Sequence, residues 1–340
     1  MNVDNLKSVA LAIVADGKGI LAADESSGTI KKRFDSIDVE STEENRRAYR
    51  ELLFTTSGAE EFVSGVILFD ETIRQKSQEG TPFPAVLEQN GIIPGIKVDS
   101  GAKELALFPG ETVTEGLDDL RERLAEYRDL GARFAKWRAV ITIGNGIPTS
   151  FCMDANAHAL ARYAALCQEV GLVPIVEPEV LMDGGHTIDR CEEVTTTTLQ
   201  KVFSQLKEHD VVLEGILLKP NMIVSGKECP QQASVAEVAE ATIRCFRKTV
   251  PETMPGIVFL SGGQSPTEAT EHLNAMNALG AYPWQLSFSY GRALQEPVLK
   301  AWLGKTENVK AAKKAFYHRA QCNGAARNGK YSKEMERMAA

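Results

Sequence analysis

Apolar and polar positions along the chain follow two alternating rhythms. Eight short runs rich in Val, Ile, Leu and Phe recur at 19–24, 63–70, 92–99, 133–141, 172–179, 213–220, 256–263 and 284–291. Runs of this length with little polar interruption predict strands buried on both faces. Between them lie longer stretches with helical spacing: Leu117, Leu120, Leu124 and Tyr127, then the alanine-rich 154–170, then Val235, Val238 and Ile243. Strand alternating with helix predicts a parallel sheet, and eight units predict an α/β fold of the (β/α)8, or TIM-barrel, type. The alternative, a doubly wound open sheet, carries a glycine-rich phosphate loop directly after its first strand. The nearest match, Gly17-Lys18-Gly19-Ile20-Leu21-Ala22, comes before that strand, so no dinucleotide site is expected. Residues 2–16, with Val3, Leu6, Val9 and Ile13 on one face, predict an added N-terminal helix. From about residue 293 onward the pattern predicts a helical extension outside the barrel, with 306–340 as its tail, all in one domain of residues 1–340 without a linker.

In a barrel of this kind the reacting groups come from the C-terminal ends of the strands, where distant segments converge on one mouth. Those ends carry Asp24 and Glu25, Asp70, Lys97 and Asp99, Lys136 and Arg138, Glu177 and Glu179, Lys219, Ser261-Gly262-Gly263, and Ser289-Tyr290-Gly291-Arg292. A single charge at a strand end is usually a solvated terminus. A mixed set of ammonium, guanidinium and carboxylate groups around one mouth is a different object, because its members perturb one another. Lys219 closes the apolar run that begins at Gly215. An ammonium held against apolar walls loses hydration, which favours the neutral amine and its attack on a carbonyl to form an imine. The glycines and arginine after the seventh and eighth runs stand where barrels commonly bind phosphate. A phosphorylated carbonyl compound fits both features.

The composition narrows the field. With 43% hydrophobic and 25% charged residues the chain has ordinary globular composition, and its net charge of −8 argues against a basic face for nucleic acid or anionic membrane. The six cysteines form no Cys-x-x-Cys pair and the five histidines no H-E-x-x-H spacing, so neither a metal site nor a disulfide framework is expected. No apolar run approaches a membrane span, and a cytoplasmic location is the expectation.

The runs Leu21-Ala-Ala-Asp-Glu-Ser26, Gly95-Ile-Lys-Val-Asp99, Phe134-Ala-Lys-Trp-Arg138, Pro174-Ile-Val-Glu-Pro-Glu179, Leu217-Leu-Lys-Pro-Asn-Met222, Leu260-Ser-Gly-Gly-Gln264 and Phe288-Ser-Tyr-Gly-Arg-Ala-Leu294 closely resemble class I fructose-bisphosphate aldolase, in order and over residues 5–331. The resemblance implies reversible cleavage of fructose 1,6-bisphosphate through a lysine Schiff base, with no cofactor and no metal. It assigns the imine to Lys219, proton shuttling to Glu177, the C4 hydroxyl proton to Asp24, charge support to Lys136, and orientation of these groups to Glu179. It places the C1 phosphate on Ser261, Gly262, Gly291 and Arg292 and the C6 phosphate on Ser26, Thr29, Arg33 and Lys97, with Gly263 and Ser289 as further substrate or phosphate contacts and Arg138 as a further basic group. It also implies a homotetramer, sugar phosphates as ligands and possible cytoskeletal partners. The family's tail tyrosine, which assists enamine protonation, has no counterpart at the end of residues 331–340. A slower protonation step, or an internal donor such as Glu177 acting through water, is therefore expected. Other Schiff-base barrels, transaldolase among them, share the chemistry but not this motif order.

Overall fold

A computed structural model describes residues 2–339. Its strands are β1 (Gly19–Ala23), β2 (Val63–Leu68), β3 (Ile93–Lys97), β4 (Ala102–Glu104), β5 (Thr112–Thr114), β6 (Phe134–Ile141), β7 (Val173–Val180), β8 (Leu217–Leu218), β9 (Gly256–Phe259) and β10 (Gln285–Tyr290). Its helices are α1 (Val3–Ile13), α2 (Ser27–Asp35), α3 (Glu43–Phe54), α4 (Asp70–Arg74), α5 (Phe83–Gln89), α6 (Leu120–Asp129), α7 (Ser150–Val170), α8 (Ile188–Glu208), α9 (Val235–Thr249), α10 (Pro266–Ala278), α11 (Arg292–Trp302) and α12 (Val309–Arg327). All the strands except β4 and β5 close into a barrel in chain order, each parallel to both neighbours, while β4 and β5 pair as an antiparallel hairpin outside it. The eight expected strands are these eight.

Local chemistry sets the helix boundaries. Thr149, Thr187, Ser234 and Ser265 cap α7 to α10 by accepting backbone N–H groups, and Glu237 and Glu268 complete capping boxes by bonding back to the cap residues. Gly171 ends α7 at φ 84°, a conformation that strains other side chains.

Along each strand alternate side chains enter the barrel. The lower interior is apolar: Ile20, Ala22, Ile67, Phe134, Val173, Ile175, Leu217 and Val258 pack with Leu6, Ala10, Ile13 and Val14 of the N-terminal segment. The predicted N-terminal helix is thus α1, and it seals the bottom of the barrel. Gly95 makes room for the Phe134 ring, since a Cβ there would fall 2.3 Å from it.

Two expectations need correction. The run 213–220 supplies only two strand residues, because Leu213–Gly215 turns as a 3₁₀ helix. The ladder still reaches Lys219, whose N–H donates to Val176 O at 2.8 Å, and stops at Pro220, which has no N–H to give. The segment after residue 293 is helical but does not lie outside the barrel. Within the supposed tail of 306–340, α12 stands in the helical layer against α3, α10 and α11 and against β1 and β10. Its buried face is mostly small, with Ala312, Ala320, Cys322 and Ala326 beside Phe316, which lets it approach closely.

Candidate active site

The strand ends surround a cavity of about 680 Å³ at the C-terminal mouth, lined by every predicted site residue except Gly263. Lys219 at the end of β8 lies with Nζ 3.3 Å from Glu177 Oε1 on β7. Glu177 Oε2 faces Lys136 Nζ on β6 at 3.4 Å, and Lys136 Nζ donates to Asp24 Oδ2, just beyond β1, at 2.7 Å. Lys219, Lys136 and Glu177 are each 3% exposed. Four groups at the ends of four strands thus form one chain of alternating charge, buried except at its partly exposed Asp24 end: Lys219, Glu177, Lys136, Asp24. A two-residue period puts them there, since the side chains that enter the barrel below them are Leu217 on β8, Ile175 on β7, Phe134 on β6 and Ala22 on β1.

Burial alone would raise the Asp24 carboxyl pKa, but Lys136, Lys219 and Lys97 outweigh it and hold Asp24 well below the usual carboxylate range. Burial likewise pushes the Lys136 ammonium down, and Asp24, Glu177 and Asp99 outweigh that, holding it well above the usual lysine range. Asp24 is therefore a carboxylate at neutral pH and Lys136 an ammonium. Around them, Arg138 Nε donates to Glu179 Oε2, and Lys97 Nζ lies 2.6 Å from Asp99 Oδ1. Burial lowers the Arg138 pKa and Glu179 more than restores it, so this guanidinium stays charged.

On the other side of the mouth are anion donors. Arg292 opens α11 and its Nη2 donates to Gly262 O at 3.1 Å, which holds the guanidinium over the β9 turn. Ser289 Oγ lines the same wall, buried and without a hydrogen-bond partner. A buried hydroxyl on the wall that also carries Arg292 can donate to a ligand oxygen. Ser26 and Thr29, whose hydroxyls lie 3.2 Å apart, follow the neighbouring strand β1 and also line the cavity, as does Lys97 at the end of β3.

Of the expected phosphate-binding residues, Gly263 is not brought to the cavity and Arg33 is. The Gly263 N–H donates to Met182 Sδ at 2.9 Å, so this glycine is turned toward the 182–186 segment and away from the cavity. A Cβ at Gly263 would lie 2.2 Å from Lys227 Cε, which accounts for glycine on packing grounds. Arg33 does line the cavity, yet its Nη2 lies 3.6 Å from where a Cβ of Gly291 would be, which sets it beside the Gly291 wall rather than with Ser26 and Thr29 alone.

Arg123 and Tyr127 on α6 also line the mouth, and sequence reasoning missed both. Tyr127 was read only as an apolar helix position, but its hydroxyl donates to Asp70 Oδ1 at 2.9 Å. Among the described residues His318, Cys322 and Glu336 bring one ligand atom each within 4.8 Å. None of them lines the cavity, and Glu336 is already gripped by Arg319 Nη1 and Nη2 and by the Tyr331 hydroxyl. Tyr331 does not line the cavity either. No helix among the described residues is long and apolar enough to cross a membrane.

Comparison with known proteins identifies the family. The family model of class-I fructose-bisphosphate aldolase matches residues 5–340. A probable fructose-bisphosphate aldolase class 1 of Xanthomonas campestris pv. campestris is 60% identical over 332 residues, covering 97% of this chain and 99% of its own. A fructose-bisphosphate aldolase of Dictyostelium discoideum is 54% identical, covering 97% and 94%. Among solved structures, the fructose-bisphosphate aldolase of Plasmodium falciparum, in complex with TRAP and a small-molecule inhibitor, superposes with a TM-score of 0.96 at 52% identity, covering 97% of this chain and 96% of that one. With motifs, barrel and nearly full-length relatives in agreement, the chain belongs to the class I fructose-bisphosphate aldolases, lyases of the metal-independent type.

Proposed function

We propose that Lys219 is the amine that forms the Schiff base with fructose 1,6-bisphosphate, and that Glu177, Lys136 and Asp24 carry the proton and charge changes around it. Lys219 Nζ, as the free amine, attacks C2 to give a carbinolamine. Glu177, 3.3 Å from Nζ, protonates the departing hydroxyl, so water leaves and a protonated imine remains. Asp24 removes the C4 hydroxyl proton, the C3–C4 bonding pair moves toward the imine nitrogen, and glyceraldehyde 3-phosphate departs. The electrons come to rest in a neutral enamine, a far smaller electrostatic demand than a free enolate. Protonation at C3, assigned to Glu177 acting through water, restores the imine. Hydrolysis then releases dihydroxyacetone phosphate and free Lys219.

One observation carries this reading: the Lys219–Glu177–Lys136–Asp24 chain, with successive separations of 3.3, 3.4 and 2.7 Å in a buried mouth. It gives each step an adjacent donor or acceptor. Glu179, paired with Arg138, serves to orient the neighbouring strand ends. Ser261, Gly262, Ser289, Gly291 and Arg292 would take one phosphate, and Ser26, Thr29 and Lys97 the other. The test is borohydride reduction with fructose 1,6-bisphosphate in the presence of EDTA, followed by peptide mapping. An adduct on Lys219 is expected; cleavage activity with the adduct on another lysine, or with none, would overturn the assignment.

The homo-oligomer belongs to the same reading. It is supported by apolar surface at Leu107, 97% exposed, and at the stacked Phe108–Phe151 pair, and light scattering in solution tests it. A cytoplasmic setting is supported by six cysteines that are all unpaired and buried. Localising the tagged full chain in its own cells tests it.

A further inference from the structure

Arg50 takes no part in the steps above, and it is an expensive group to bury. It lies on α3, 2% exposed, with Nη2 2.7 Å from Glu25 Oε2, while its Nε and Nη1 have no hydrogen-bond partner. Burying a guanidinium costs desolvation even when it is paired with a carboxylate, so its presence calls for a role. Its partner carboxylate suggests one. Glu25 Oε1 faces Arg33 Nη1 at 2.5 Å and accepts from Gln295 Nε2 at 2.8 Å. Gln295, 0% exposed on α11, also donates to Ala22 O at the end of β1 and accepts from the Tyr49 hydroxyl. One carboxylate thus ties α2, α3 and α11 to the end of the first strand.

Charge arithmetic gives the tie its purpose. Glu25 with Arg33 alone would sum to zero, and Arg33 would have little attraction left for an anion. Glu25 with both arginines sums to +1, so the carboxylate fixes the Arg33 guanidinium while the surplus charge remains. The fixed guanidinium is the one beside Gly291, on the wall where Arg292 and the unpaired Ser289 hydroxyl lie.

We infer that Arg50, with Gln295, is a positioning residue that acts through Glu25 to hold Arg33 as a phosphate-binding cation on the Gly291 side of the mouth. This rests on the reading of that wall as the C1 phosphate site. The mechanism is electrostatic and geometric, and it leaves the imine chemistry at Lys219 untouched.

The test is steady-state kinetics with fructose 1,6-bisphosphate and fructose 1-phosphate for the full chain and for Arg33→Ala, Arg50→Gln, Arg50→Lys and the Arg33→Ala/Arg50→Gln double variant. Loss of one charge-assisted phosphate contact should raise KM about tenfold for both substrates, with kcat changed by less than about twofold. Arg50→Lys should recover part of the loss, and the double variant should be no worse than Arg33→Ala, because Arg50 then has nothing left to position. Additive effects in the double variant, or a fall in kcat at constant KM, would overturn the positioning role. A KM effect confined to the bisphosphate would overturn the C1 side in favour of C6. If Arg33→Ala alone leaves KM unchanged, the phosphate reading of Arg33 fails, while borohydride trapping at Lys219 reports separately on the reaction itself. Where Arg50→Gln does not fold, Gln295→Met removes the other clamp on Glu25 from a different helix and carries the same expectation.

Discussion

The two ends of this barrel are built by the same strands to opposite rules. At the lower end α1 and the inward residues form a layer of aliphatic side chains around Phe134, which the Arg327 guanidinium meets only at its edge, on Val14 O. Two residues further along β6, β7 and β8 the inward positions are Lys136, Glu177 and Lys219, all buried and all ionisable. The lower layer stabilises by removing apolar surface from water, about 25 cal/mol per Å². The upper layer costs desolvation and recovers it only because each charge has an opposite neighbour within about 4 Å. Stability and reactivity are thus separated by one turn of the strand pleat.

Lys219→Met breaks that division at the mouth. Cleavage should fall by at least about 10⁴-fold with loss of borohydride trapping, while the thermal midpoint stays within a few degrees, because Glu177 keeps Lys136 as its partner. Phe134→Ala attacks the other end. Chemical denaturation should show a loss of about 3–5 kcal/mol, with kcat per folded molecule nearly intact. Asp24→Asn should lower kcat by about 10²–10⁴-fold yet leave the Lys219 adduct trappable, since imine formation precedes the step that needs this base.

Leu6→Ala, on α1, should cost about 2–4 kcal/mol by urea unfolding without a change in KM. The smallest effect is in the pH dependence. Asp24 has a folded pKa below its ordinary value of 3.8, so its pairing with Lys136 stabilises fully above that value and is lost as pH falls through the lower, folded pKa. Unfolding free energies of the parent protein should therefore fall more steeply below about pH 4 than those of Asp24→Asn. Parallel curves would mean the pair adds nothing to folding.

Strand-end parts of this site were legible in the residue pattern, whereas helix-borne parts were either named only through the motif resemblance, as Thr29 and Arg33 were, or missed, for a physical reason. A strand end is marked by the point where an apolar run turns polar, so Asp24, Lys97, Lys136, Glu177 and Lys219 announce themselves. Arg50, Arg123 and Gln295 lie on helices whose polar positions look the same whether they face water or the barrel rim. The hairpin β4–β5 was missed because three-residue strands such as the exposed Ala102–Glu104 give no apolar signal. The place of α12 in the helical ring was misjudged because close packing through alanine and cysteine leaves a faint amphipathic pattern. Gly263 was assigned by motif, and only its neighbours Met182 and Lys227 reveal which way it turns.

Because α1 closes one end, the barrel is a flask and not a pipe. Whatever reacts at Lys219 enters and leaves by a single neck, and nothing can be displaced from behind. On the proposed mechanism the fragments then part in order of attachment: the free piece leaves by that neck first, and the piece still bound to Lys219 waits for water to follow it in.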